Sequence, residues 1–240
     1  MIVRTTASSL LLIAQPDHAV LARQIMERWK SGGLPAEPRR ASILHAVQEH
    51  DNGWREVDAA PVLDPATGRV LDFITIPADV RQAVWPRGVA RLAEDPLAAA
   101  LVAQHAIHIY SRFGEDAAWT GFFAEMTRLR GDYAQRAGVS LEEVERLYPF
   151  VRAADLMSLT FCTGWTDVQH AAGHEIRLRD ERTLTVDPDP FAGVSIPFSI
   201  RARVLPNRPF GSPVEAARLF EAATVVTLTA TASAAGHKNT

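Results

Sequence analysis

Ile43-Leu44-His45-Ala46-Val47-Gln48-Glu49-His50-Asp51-Asn52-Gly53-Trp54 is the stretch on which the reading of this chain turns. Ile43, Leu44 and Val47 mark the buried stripe of an amphipathic helix. Seven residues on from Ile43 and Leu44, that stripe carries His50 and Asp51 where two aliphatic side chains are due. Burying a carboxylate without a counter-charge costs several kcal/mol, roughly. A divalent metal compensates economically, because it takes both groups as ligands at once.

Other polar residues break other apolar stripes. Pro16 and Asp17 start a helix, and His18 leads a face continued by Leu21, Ala22, Ile25 and Trp29. From Leu147 to Cys162 the chain is apolar or small almost all round, apart from Arg152 and Asp155, the pattern of a central helix. A lone carboxylate there would be expensive or protonated. His105 and His108 lie three apart, hence on one helix face, with Arg112 below them.

The order is His18, then His50-Asp51, then Asp155, on three helices. It resembles the HD superfamily of metal-dependent phosphohydrolases, in which a His, an adjacent His-Asp pair and a distant Asp surround a metal in a helical bundle. Gly53, two after the Asp, and the Ala154-Asp155-Leu156-Met157-Ser158 setting are also similar to that superfamily. More narrowly, Gln15-Pro16-Asp17-His18 followed by His50-Asp51-Asn52-Gly53-Trp54 looks like a bacterial family of unassigned function within this group. That resemblance spans nearly the whole chain, and it implies His18, His50, Asp51 and Asp155 as metal ligands. One departure stands out: many superfamily hydrolases carry Lys where this chain has Trp54, so a basic residue that would help hold a phosphate is missing from that place.

Each residue also has a plain structural reading. His45 lies on a different turn and reads as a hydrogen-bonded core histidine. Asp51 would serve as a helix-end residue held by backbone donors, and Asp155 would pair with a buried arginine. The coincidence of four such residues in this order favours the metal site. His105 and His108 are open to three roles: a second metal, substrate contact, or a bridge to a neighbouring strand. His170 and His174 read as loop residues and His237 as part of a loose tail, while Cys162 reads as an inert core thiol.

With 240 residues and 47% hydrophobic content, the chain buries a substantial core. A net charge of −3 and the lack of a basic, aromatic-interleaved block argue against nucleic acid as a partner. The single cysteine fits a reducing, cytoplasmic setting, and the apolar run Leu10–Ala14 is too short to span a membrane. A small-molecule substrate, phosphorylated if the resemblance holds, is the expected partner, and homo-oligomerisation is left open.

Strands are expected at Met1–Thr6 and Ser9–Ala14 and helices at Asp17–Lys30, Arg40–Asp51, Pro77–Ala93, Pro96–Phe113, Glu115–Arg136, Ser140–Glu145 and Tyr148–Trp165. Val/Ile/Thr-rich segments at His174–Leu178, Thr183–Val186, Val194–Val204 and Thr224–Thr231 read as three or four further strands, with a short helix at Pro213–Ala222. The expected fold is therefore α+β, mainly α. It is a single domain over 1–240, with an HD-like helical bundle at about 15–168 and a small sheet built from 1–14 plus 174–232.

The leading functional expectation is a hydrolase whose divalent transition metal (manganese, iron, cobalt, nickel or zinc) acts on a phosphoester. His105 or His108 would be the acid or base, with Glu49 an outside candidate. The runner-up is a diiron oxygenase of the same superfamily, using His105 and His108 as extra ligands. A non-catalytic, metal-stabilised binding module ranks third, because two carboxylates and two histidines on open helices make a poor closed site.

Overall fold

Leu10, Leu11, Leu12 and Ile13 form an unbroken apolar run. The computed structural model, which describes residues 1–30 and 32–235, shows that both faces of the run are covered. The run lies in β2 (Ser9–Ile13), which pairs antiparallel with β1 (Ile2–Thr5). Successive side chains on a strand point to opposite faces. Leu11 and Ile13 accordingly meet the main core, while Leu10 and Leu12 join Met1, Leu205, Phe210 and Ala216 in a smaller cluster on the other side. A strand buried on both faces needs no polar alternation.

Six helices come next: α1 (Gln15–Met26), α2 (Arg39–Glu49), α3 (Ala78–Ala90), α4 (Pro96–Ile109), α5 (Thr120–Ala137) and α6 (Leu141–Thr163). Capping chemistry sets several of the boundaries. Asp95 accepts from the Ala98 amide at 3.2 Å to start α4, and Ser140 from the Glu143 amide at 3.1 Å to start α6. Gly164, at φ 77°, ends α6 in the left-handed conformation. The two helices expected at Ser140–Glu145 and Tyr148–Trp165 are this one 23-residue helix, with Pro149 inside it. It is the central element, touching α1, α2, α4 and α5 as well as β1, β3 (Gln169–Ala171) and β4 (His174–Asp180).

The remaining elements are β5 (Thr183–Asp187), β6 (Ile196–Pro206), α7 (Pro213–Glu221) and β7 (Thr224–Ala234). All strands form one sheet in the order β1-β2-β6-β7-β5-β4-β3, antiparallel except for the parallel pair β5–β7. Both termini therefore contribute to one sheet. The expectation of a mainly α, HD-like bundle with a small sheet is corrected: the chain is about half helical, and its seven strands curl into a mixed half-barrel. The sheet was underestimated at three points. The Thr- and Ala-rich tail continues as strand to Ala234, Gln169–Ala171 adds a strand where a loop was expected, and β7 joins the two halves. Ala is a weak strand former by propensity, so the strand is extended by pairing: with β6 from Val204↔Thr224 to Ile196↔Ala232, and with β5 from Thr183↔Thr231 to Val186↔Ala234.

Ile196, Phe198, Ile200 and Ala202 point alternately inward from β6, and the Phe198 ring meets Phe161 of α6 edge-on at 4.9 Å. One main hydrophobic core thus runs from the helices into the sheet. Among the described residues, no helix is long and apolar enough to cross a membrane. His237 and Ser31 lie outside the described residues.

Ile13 is fully buried between sheet and helices. Ile13→Ala is expected to lower unfolding free energy by about 2–5 kcal/mol. Deleting 1–14 should destabilise more, because it strips β6 of a neighbour; denaturant titration of both variants checks this.

Candidate metal centre

His50 and Asp51 fall just past the end of α2, which stops at Glu49, so they do not extend its stripe as the spacing suggested. The last carbonyls of a helix lack intrahelical partners. His50 supplies one: its Nδ1–H donates to the Val47 carbonyl at 2.7 Å, leaving Nε2 as the lone-pair atom. A metal-binding histidine commonly has its other nitrogen held this way.

Gly53 fixes the path of the chain beyond Asp51. A Cβ there would lie 2.0 Å from the Val84 carbonyl oxygen, so only glycine lets residues 52–54 sit against α3. Arg87 clamps the contact by donating to the Gly53 carbonyl at 2.6 Å. Trp54, in the place of the expected Lys, is buried and lines a cavity beside the cluster.

His18 (α1), Asp155 (α6) and His105 (α4) converge on this corner, and all are buried. His18 Nε2 is 2.7 Å from Asp51 Oδ2, and its Nδ1 is 2.9 Å from Ser158 Oγ. The Ser158 hydroxyl donates to the Asp155 carbonyl at 2.9 Å, so its single proton is used. At 2.7 Å from an ionised carboxylate, Nε2 of His18 donates its proton to Asp51, and a metal ion taking that nitrogen as a ligand would displace the proton.

His50 Nε2 lies 3.3 Å from Asp155 Oδ1 and 3.6 Å from Asp51 Oδ2, yet hydrogen-bonds to nothing among the described residues. His105 Nε2 is 3.8 Å from Asp155 Oδ2, and His105 Nδ1 is 3.1 Å from the Tyr148 hydroxyl. The donor atoms form two groups, His18-His50-Asp51 and His50-His105-Asp155, each within 4.8 Å and joined at His50. Ligands on one ion with bonds of about 2.1 Å stand roughly 3.0–3.4 Å apart. These buried His/Asp groups are positioned to bind a metal ion.

The electrostatics point the same way. Burial would depress His50, but Asp51 and Asp155 override it and lift its pKa to about 9. Burial would raise both carboxyls, yet His50 beside each holds them below the usual range, Asp155 well below. A positive charge between the two carboxylates is therefore strongly favoured. Burial lowers His105 to about 4 despite Asp155, so at neutral pH it is an uncharged donor.

His105 and His108 both line one cavity and pack on the Tyr148 ring. His105 sits within ligand reach, whereas His108 is half-buried on the cavity wall, its pKa lowered by burial and by Arg152. His45 is not a core histidine: it is partly exposed and pairs with Asp95 at 2.9 Å. His174 is buried on β4 against Trp29, and His170 lies on β3, so neither is a loop residue. Cys162 is buried, and burial pushes its thiol far up, as an inert group requires.

The cavity, of about 460 Å³, opens onto the cluster, with His18, Asp51, His105 and Asp155 in its wall. Sequence reading missed Ser158, Tyr148 and the cavity-lining Arg81 and Arg152. Spacing along α6 held a signal for three of them, since Tyr148, Arg152, Asp155 and Ser158 recur at three to four residues.

Ser158→Ala should weaken metal affinity by about 10–100-fold through the loosened His18 ring, whereas His45→Ala should leave it unchanged. Competition titration against a chelating dye reads both. Gly53→Ala should destabilise the fold by at least about 2 kcal/mol, measured by thermal melt, since backbone must move to admit the methyl.

No curated protein and no solved structure matches this chain. A family profile, described as protein of unknown function DUF3891, matches residues 1–207, from β1 to just past the end of β6. The chain belongs to that family.

Proposed function

We propose that the protein is a metal-dependent hydrolase of a small phosphoester. The observation that carries this reading is His50 Nε2. It is a buried nitrogen facing two carboxylates at 3.3 and 3.6 Å with no hydrogen bond among the described residues, at the edge of a cavity large enough for a substrate. The donor set is mixed nitrogen and oxygen, which suits manganese, iron, cobalt, nickel or zinc. The order of ligands along the chain, similar to that of the HD superfamily, supports the same reading.

His18, His50, Asp51 and Asp155 would hold the ion, with His105 as a further donor. When bound, such an ion supplies Lewis acidity and acidifies a coordinated water. His108, on the wall beside Arg152, is placed to contact substrate and move a proton. Four of the five donor residues border the cavity, which favours a working site over a closed structural one.

The two donor groups also bear on the dinuclear oxygenase reading. They share His50, whose Nδ1 is committed to Val47, so only one nitrogen is free. One imidazole nitrogen has one lone pair and serves one ion, which favours a single metal.

Protein purified without added metal should contain about one transition ion per chain by elemental analysis. Loaded with manganese, it should cleave members of a phosphoester panel. Asp51→Ala should abolish both metal and turnover, while His108→Ala should slow turnover about 10²-fold or more with metal retained. Two irons per chain would favour the oxygenase. A full ion complement without turnover across the panel would count against hydrolysis.

A further inference from the structure

Arg81 of α3, Arg112 of the turn at Ser111–Phe113, and Arg152 of α6 all line the cavity that opens onto the metal centre. Arg81 and Arg112 flank one ring: their guanidinium carbons lie 5.6 and 4.8 Å from the Phe113 centroid. Arg81 also lies 5.9 and 5.5 Å from Tyr110 and Trp119, and its buried Nε–H has no hydrogen-bond partner among the described residues. None of the three pairs with a carboxylate among those residues; the arginines that do so lie elsewhere.

The charge count is lopsided. Among the described residues, the only acids in the cavity wall are Asp51 and Asp155, and one divalent ion cancels both. Three guanidiniums then remain, charged at every physiological pH. Like charges brought together beside low-dielectric aromatic walls repel unless an anion joins them. Much of the remaining wall is apolar. Ile74 and Ile109, 43% and 37% exposed, stand at the cavity with Leu156 and Trp165.

We infer that Arg81, Arg112 and Arg152 select the doubly charged terminal phosphate of a small phosphomonoester with a flat, apolar organic group, and discriminate against phosphodiesters. This rests on the hydrolytic reading of the site and names its substrate class. A guanidinium matches two phosphate oxygens in a planar fork, and a dianion with three free oxygens engages more such forks than a diester with two. The arginines also take the part that a Lys in the place of Trp54 would otherwise play.

The probe is phenylphosphonate, whose P–C bond is not an ester, set against its singly charged monomethyl ester. Calorimetric titration of the purified protein, carrying its ion at mildly alkaline pH, should find the dianion bound at least about tenfold more tightly. Arg112→Gln and Arg152→Gln should each weaken it by about tenfold, and Arg81→Gln likewise. Arg128→Gln, on the exposed face of α5, should change nothing. Arg112 is exposed, so its variant stays testable even if Arg81→Gln loosens the aromatic cluster. Equal affinity for the two probes, or unchanged affinity in the folded Arg112 and Arg152 variants, overturns the proposal. Methylphosphonate binding as tightly as phenylphosphonate overturns its apolar half. Arginine-dependent binding by protein that carries no metal keeps the anion site and removes the hydrolytic reading. Metal-dependent turnover without arginine dependence does the reverse.

Discussion

Two carboxylates, Asp51 and Asp155, are taken out of water within reach of the same imidazole, and the surrounding structure answers that burden. Removing each from solvent costs several kcal/mol, roughly, unless a positive partner sits close. His50 lies between them with its Nδ1 proton already given to Val47, and His18 Nε2 meets the Asp51 carboxylate at 2.7 Å. Without a proton on Nε2, His50 would turn a lone pair toward carboxylates that also offer lone pairs. Only a proton or a metal ion reconciles them. A proton accounts for the His50 pKa of about 9, and the donor spacing of 3.3 and 3.6 Å equally fits ligands of one ion.

Four segments must meet at one point for this to work. α1 brings His18, the end of α2 brings His50 and Asp51, α4 brings His105 and α6 brings Asp155 and Ser158. Gly53 permits the tight approach to α3 that turns the chain away after Asp51. The sheet anchors the arrangement from behind: α1 rests on β6, and α6 packs against β1, β3 and β4. The half-barrel is covered on one face by the main core with α6 and partly on the other by the smaller cluster with α7.

The cavity carries a second imbalance, opposite in sign. Its arginines come from α3, the turn after α4 and α6, and two of them lie against Tyr110, Phe113 and Trp119 rather than pairing with acids. A negative floor that calls for a cation lies beside a positive wall that calls for an anion. The absence of Lys at Trp54 weighed against phosphoester chemistry when only the local motif was in view. On the proposed reading, guanidiniums distant in sequence would supply that charge instead.

The sequence alone determined which residues break the apolar stripes. His18 and Asp155 are conspicuous because an ionisable group at a buried helix position is expensive wherever the helix ends up, and His50 and Asp51 because they follow the spacing of such a stripe although the helix ends just before them. Paired strands at both ends of the chain were legible in a similar way, since β-branched and apolar runs bracket the helices. Tertiary structure decided the rest. The length of β7 comes from pairing with β6 and, at its end, with β5, because alanine has little strand preference of its own. The parallel β5–β7 pair, which makes one sheet of two halves, is a contact between segments about forty residues apart. Placing His105 and His108 in the wall of the same cavity as Arg81, Arg112 and Arg152 depended on how the helices are rotated and crossed. Helical spacing says which residues share a face; packing alone says what that face looks onto.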